Sequence, residues 1–226
     1  MTRRRNRAEA SDNQRVCGSN LEDWIKAWHR WYLSIPEKRH PIFSHLSKEY
    51  ERKQDQNQGK LSFLRQKQSA IPNECKEKVW FLTGGYQGAI TTRSFIPRGE
   101  FYILAPLYSV WASTDEYPSL NTNAELNGFC TNEIRNVKLN NATLDGSKIT
   151  SILFKINQPF TVDLPPGNII GLPLTRGQSK KAITLVSQGY WIWLKPLSIG
   201  DHRIQLSASS PRFVTELNIA LSVAGP

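Results

Sequence analysis

The chain has 226 residues, a formal charge of +10, 39% apolar residues and a mean hydropathy of −0.46. That length suits one generous domain with an N-terminal extension and is enough to bury a core. No run of about 18 apolar residues is present, which excludes a helical membrane span, and three dispersed cysteines, Cys17, Cys75 and Cys130, exclude a disulfide framework or a metal ribbon.

Basicity is concentrated at the N-terminus. Residues 1–78 carry 17 Lys/Arg against 10 Asp/Glu, and residues 79–226 carry 12 against 9. Arg3, Arg4, Arg5, Arg7 and Arg15 lie within the first fifteen positions, so residues 1–18 read as a disordered basic arm able to hold an anionic partner by counterion release. The polar stretch Ala8 to Gly18 supplies no apolar core for a Sec signal. The expectation is a cytoplasmic protein, or one exported by a non-Sec route.

Ser19-Asn20 can cap a helix, with Glu22 and Asp23 in its first turn. Leu21, Trp24, Ile25, Trp28, Trp31 and Tyr32 then recur at spacings of three and four, which predicts an amphipathic helix ending before Ile35-Pro36. Its polar face is mixed in sign, so packing on a sheet is favoured over lying on a membrane. Residues 44–70 are charged and glutamine-rich and read as an insertion within a 19–78 unit.

From Val79 the period changes to two, most clearly in Phe213, Thr215, Leu217, Ile219, Leu221 and Val223. Strands are predicted at 79–83, 89–95, 101–107, 150–156, 160–164, 190–195, 202–207 and 213–223. Turn residues Pro97-Arg98-Gly99, Asn157-Gln158-Pro159, Pro165-Pro166-Gly167 and Ser198-Ile199-Gly200 separate several of them. Leu144-Asp145-Gly146 reads as a hairpin turn, residues 121–135 as holding a short helix, and the sequon Asn141-Ala142-Thr143 as a chance match in a loop. The expected fold is mainly β: an antiparallel two-sheet sandwich over 79–226, immunoglobulin-like or jelly-roll-like, with the N-terminal helix laid across it.

Three segments carry a resemblance: Trp80-Phe-Leu-Thr-Gly-Gly-Tyr86, Ile96-Pro-Arg-Gly-Glu100, and Gly189-Tyr-Trp-Ile-Trp-Leu-Lys-Pro-Leu-Ser-Ile-Gly-Asp-His202. They resemble an uncharacterised family of bacterial β-rich proteins with Trp-Phe-Leu-Ala-Gly, Ile/Val-Pro-x-Gly-Lys and Gly-Tyr-Trp-x-x-Leu-Lys-Pro-Leu-x-x-Gly-x-His. The resemblance spans about residues 21–43 and 79–223. It implies a shared fold and no named activity. Ser94 stands where that family commonly has cysteine, and Glu100 where it has lysine.

Signatures of phosphate-binding loops, nucleophile elbows, zinc proteases and dinucleotide folds are missing. No cofactor and no metal is expected. The most enzyme-like patch is Tyr108-Ser-Val-Trp-Ala-Ser-Thr-Asp-Glu-Tyr-Pro118, where the loop acids Asp115 and Glu116 follow a strand and, brought near His202, could form an acid/base pair. On the other side stand Trp191, Trp193 and Lys195, on one face of a strand, which form either a stacking platform for a sugar or base or a buried packing surface. Arg176, Lys180 and Lys181 make the 165–182 loop a candidate contact for an anionic partner. The reading favoured by these residues is non-catalytic recognition of an unknown macromolecule or glycan through loops 108–123 and 165–182. The alternatives are a small hydrolase using Asp115/Glu116 and a nucleic-acid-binding or assembly protein acting through the arginine arm.

Overall fold

A computed structural model describes residues 8–40, 42, 78–84, 88–96, 100–212 and 214–225. The arm residues Arg3, Arg4, Arg5 and Arg7, the glutamine-rich segment and Cys75 lie outside them.

Helix α1 (Leu21–Leu33) begins at a capping box: the Asn20 side chain accepts from the Asp23 amide, and the Asp23 carboxylate accepts from the Asn20 amide. These two bonds satisfy amides that a helix start leaves unpaired. A 2.6 Å Glu22–Lys26 ion pair lies one turn apart on the helix. Ser34 and Pro36 end the helix, and its apolar stripe is buried almost completely.

Nine strands form two sheets among the described residues: β1 (Val79–Phe81), β2 (Gly88–Ile96), β3 (Tyr102–Ser113), β4 (Lys138–Leu144), β5 (Ser147–Lys148), β6 (Ile152–Leu164), β7 (Lys181–Leu194), β8 (Gly200–Ser209) and β9 (Val214–Val223). The four-stranded sheet has the order β1-β3-β7-β6, the five-stranded one β2-β9-β8-β4-β5. A second helix, α2 (Asn123–Arg135), carries the chain from β3 in one sheet to β4 in the other.

The interior has two main parts. Between the sheets, Ile103, Ala105, Ile192 and Leu194 meet Ile204, Leu206, Leu217 and Ile219. On the other face of the four-stranded sheet, α1 packs Trp24, Trp28 and Trp31 over Phe81, Leu185, Trp191 and Trp193. Strand β7 is therefore covered on both faces, which is why its residues are apolar in both phases.

Several expectations are corrected. The sheets are mixed rather than wholly antiparallel, because β1 runs parallel to β3 and β2 parallel to β9. The segments predicted as strands 150–156 and 160–164 form one strand, with a register break between Ile156 and Phe160. Pro159 falls in that break on an edge strand, where its missing amide donor leaves no ladder bond unmade. Strand β4 was not expected at all, and the sequon lies within it rather than in a loop. Its residues are mostly exposed, so no apolar alternation marks it. Part of the N-terminal segment read as disordered is instead paired with β7: the Ala10 amide donates to the Trp193 carbonyl, and the Lys195 amide to that of Ala8.

Candidate functional site

Strand β1 pairs with Tyr102, Ile103 and Leu104, and among the described residues no further strand lies beside the later part of β3 on that side. A cleft of about 290 Å³ opens there, and its lining includes the consecutive residues Tyr108, Ser109, Val110 and Trp111. Successive strand side chains point to opposite faces, so four consecutive residues share one cavity when the cavity lies against the strand edge. The turn after β3 adds Glu116 and Tyr117, α2 adds Phe129 and Glu133, α1 adds Tyr32, and Ile169, Ile170 and Arg212 complete the wall.

Each contributor is held in place. The Glu116 amide donates to the Ser113 hydroxyl at 3.2 Å and the Tyr117 amide to the Ser113 carbonyl at 3.0 Å, which fixes the turn. Helix α2 starts at Thr122 with a second capping box and is tied to β7 through buried Gln188, which donates to the Thr131 hydroxyl at 3.0 Å. The loop with Ile169 and Ile170 is organised by buried Asn168, whose amide group donates to the Pro165 and Leu172 carbonyls.

Burial raises the Glu116 carboxyl to about 7, against the opposing hydrogen bonds of Ser113 and Trp111 and with the Asp115 charge adding to the rise. Neighbouring acids have cations: Asp115 pairs with Lys181 at 2.9 Å and Glu133 with Arg212 at 3.2 Å. Cys130, packed with Ala112, Leu126 and Val186, has its thiol pushed up to about 12 by burial and by the charges of Glu116 and Glu133. Such a thiol is not a nucleophile at neutral pH.

His202 does not join Glu116. It borders a separate groove on the five-stranded sheet with Ser94, Asp201 and Ser222. Its Nδ1 lies 2.7 Å from Asp145, its Nε2 2.9 Å from the Ser198 carbonyl and 3.3 Å from the Ser198 hydroxyl. The sequence Asp145, Ser198, His202 thus brings together the residue types of a hydrolytic triad. Both ring nitrogens nevertheless face acceptors, an arrangement that favours the doubly protonated ring, in which Nε2 has no lone pair to take the Ser198 proton. The group is a clamp between the β4–β5 hairpin and the turn before β8. Burial works against the charged ring, but Asp145 and the Ser198 carbonyl outweigh it and raise the His202 pKa.

The stacking platform is also corrected: Trp191 and Trp193 are each 1% exposed, covered by α1 and by Tyr102. Lys195 is exposed beyond the end of β7. In the 165–182 loop Arg176 is exposed, Lys180 is engaged by Asp163 at 2.6 Å, and Lys181 by Asp115. That loop lends apolar Ile169 and Ile170 to the cleft, and its basic residues are elsewhere. Among the described residues Glu116 is the individually named candidate that lies in the cleft; Tyr108, Trp111 and Tyr117 belong to the 108–118 patch and Ile169 and Ile170 to the 165–182 loop, whereas Phe129 and Glu133 were missed. Among the described residues no group of three or more His, Cys, Asp or Glu is placed to hold a metal.

No protein-family model and no curated protein matches the chain. Among solved structures, one similar chain is the crystal structure of a cysteine protease inhibitor from Entamoeba histolytica, with 14% sequence identity and a TM-score of 0.23, covering 65% of this chain and 96% of that one.

Proposed function

We propose that this is a non-catalytic recognition protein, with an immunoglobulin-like frame that presents the cleft at the open edge of β3 to a partner polypeptide. The observation that carries the reading is the coincidence of a strand edge that takes no further strand among the described residues with an aromatic-lined cavity. An exposed edge offers main-chain hydrogen bonds to an extended segment, and a neighbouring pocket selects among its side chains.

The strand order supports the frame. Taking β3, β4, β6, β7, β8 and β9 as B, C, D, E, F and G, the sheets read A-B-E-D and A′-G-F-C-C′, the immunoglobulin arrangement. The parallel β1–β3 pairing departs from it. We also assign the chain to the bacterial family that its motifs resemble. Motif residues have structural work: the Trp80 indole donates to Ser94 and Gly84 lies against Pro106; Glu100, which departs from the family's lysine, pairs with Lys78 at 3.5 Å.

Selection of displayed peptides on the wild-type protein, with counter-screening on Tyr117→Ala, tests the recognition reading. Enriched sequences should lose at least tenfold in affinity for the variant. Peptides that bind both proteins equally, or no enrichment, would overturn it.

A further inference from the structure

We propose that the cleft receives the ammonium group of a lysine side chain from the partner, seated on Glu116 and enclosed by the rings of Trp111, Tyr117 and Phe129. This rests on the recognition reading above and adds the chemistry of the bound group.

The charge pattern around the cleft points to a missing cation. Three acids lie close together, and two have partners of opposite sign within this chain: Lys181 on Asp115 and Arg212 on Glu133. Glu116 has neutral donors, the Ser113 hydroxyl at 3.4 Å and the Trp111 indole, and no cationic partner among the described residues. Carboxylates removed from water are ordinarily paired, and here the pairing is incomplete in a protein of net charge +10. The cleft itself supplies aromatic faces, which attract a cation by their quadrupoles. Ser109, a lining residue, has a buried hydroxyl with no hydrogen-bond partner among the described residues.

Size and geometry select lysine. About 290 Å³ lies at the low end of ligand pockets, room for a single side chain. With Ser113 and Trp111 already donating to the Glu116 carboxyl, a bidentate guanidinium fork has to share both oxygens with them, whereas a compact ammonium needs one oxygen. The open edge of β3 then aligns the lysine's own backbone.

The test uses the pentapeptide acetyl-Thr-Val-Lys-Val-Thr-amide and a copy with norleucine in place of lysine, followed by the Trp111 indole resonance in nitrogen-15 NMR spectra. The lysine peptide should shift that resonance saturably at pH 8, and the norleucine copy should bind at least tenfold more weakly. Glu116→Gln should abolish the difference between them. Affinity of the wild type should fall as pH drops from 8 to 5.5, because Glu116 gains a proton while lysine keeps its own. The groups sharing the cleft or contacting Glu116 are Asp115 and Tyr117 from its own turn, Tyr108, Trp111 and Ser113 from β3, Tyr32 from α1, Cys130 and Glu133 from α2, and Arg212; burial raises Glu116 into that range. Equal binding of the two peptides to the wild type, or pH-independent binding, would overturn the lysine assignment while leaving the cleft as a recognition site. Silence of the Trp111 resonance toward both peptides would also overturn it, and the fate of the recognition reading would still be decided by the Tyr117→Ala counter-screen.

Discussion

His29 and His40 are buried and neutral. The His29 Nδ1–H donates to the Ile25 carbonyl at 2.9 Å and its Nε2 accepts from Ser187 at 3.0 Å; the His40 Nε2–H donates to the Tyr32 carbonyl at 3.1 Å. Burial lowers both to about 4, against 6.5 for an unhindered histidine. The unfolded chain therefore binds more protons below pH 6.5, so stability present above that pH is lost as pH falls toward 4, by about 3 kcal/mol per histidine. Urea unfolding at pH 7 and pH 4.5 should show a large drop in midpoint, reduced in a His29→Gln variant relative to its own value at pH 7. The His202 clamp has the opposite sign: its raised pKa contributes stability below pH 6.5 that is lost as pH rises through the folded-state value. Neither burial nor the Asp145 contact was legible at these positions, because a lone histidine in a sequence carries no mark of what surrounds it. The same applies to Glu116: its place in an acidic turn was visible, whereas its unpaired state depends on Lys181 and Arg212, which are distant in the chain.

Helix boundaries were legible because their determinants are local. Asn20 with Asp23 and Thr122 with Glu125 are both capping boxes spanning three residues. Replacing either Asn20 or Thr122 by alanine should cost about 1 kcal/mol in chemical denaturation. The Thr-x-x-Glu signal was available for α2, and its 13 residues exceed the short helix expected there because Leu126, Cys130 and Ile134 at helical spacing find a surface in Ala112, Val186 and the sheet interior. Strand limits were less legible, since β7 extends through Gly189, a residue that usually weakens strands. The reason is a close approach: a Cβ at Gly189 would lie 2.6 Å from the Tyr108 carbonyl oxygen and 3.0 Å from the Ser109 Cα. Those atoms are backbone and cannot rotate away. Gly189→Ala should destabilise by about 2 kcal/mol, read as a lowered melting temperature, and should widen the β3 edge at the cleft.

At the scale of the whole molecule α1 acts as an outer layer for a sheet whose exterior is as apolar as its interior. Trp28 holds the centre of that layer, donating to the Leu82 carbonyl at 2.8 Å and packing on Tyr32 and Trp191. Trp28→Ala should cost about 3–5 kcal/mol, and a chain starting at Ile35 should bind hydrophobic dye strongly because Trp191 and Trp193 become exposed. The bonds that Ala8 and Ala10 make at the end of β7 lie outside residues 1–7; deletion of those seven residues should abolish any salt-dependent nucleic-acid binding measured by fluorescence anisotropy, with thermal melting expected to stay unchanged. What the sequence by itself determined were the features set by short-range periodicity and punctuation: a mainly β chain, the face and ends of α1, the Asp145-Gly146 hairpin, and most strand positions. Only the tertiary structure decided that Trp191 and Trp193 lie beneath the helix, that β1 and β2 pair in parallel with strands far along the chain, and that Glu116 faces Tyr108, Phe129 and Glu133 while His202 faces Asp145. The physical reason is that burial and charge pairing depend on which distant segments a sheet register brings together, and that information is distributed over the whole fold.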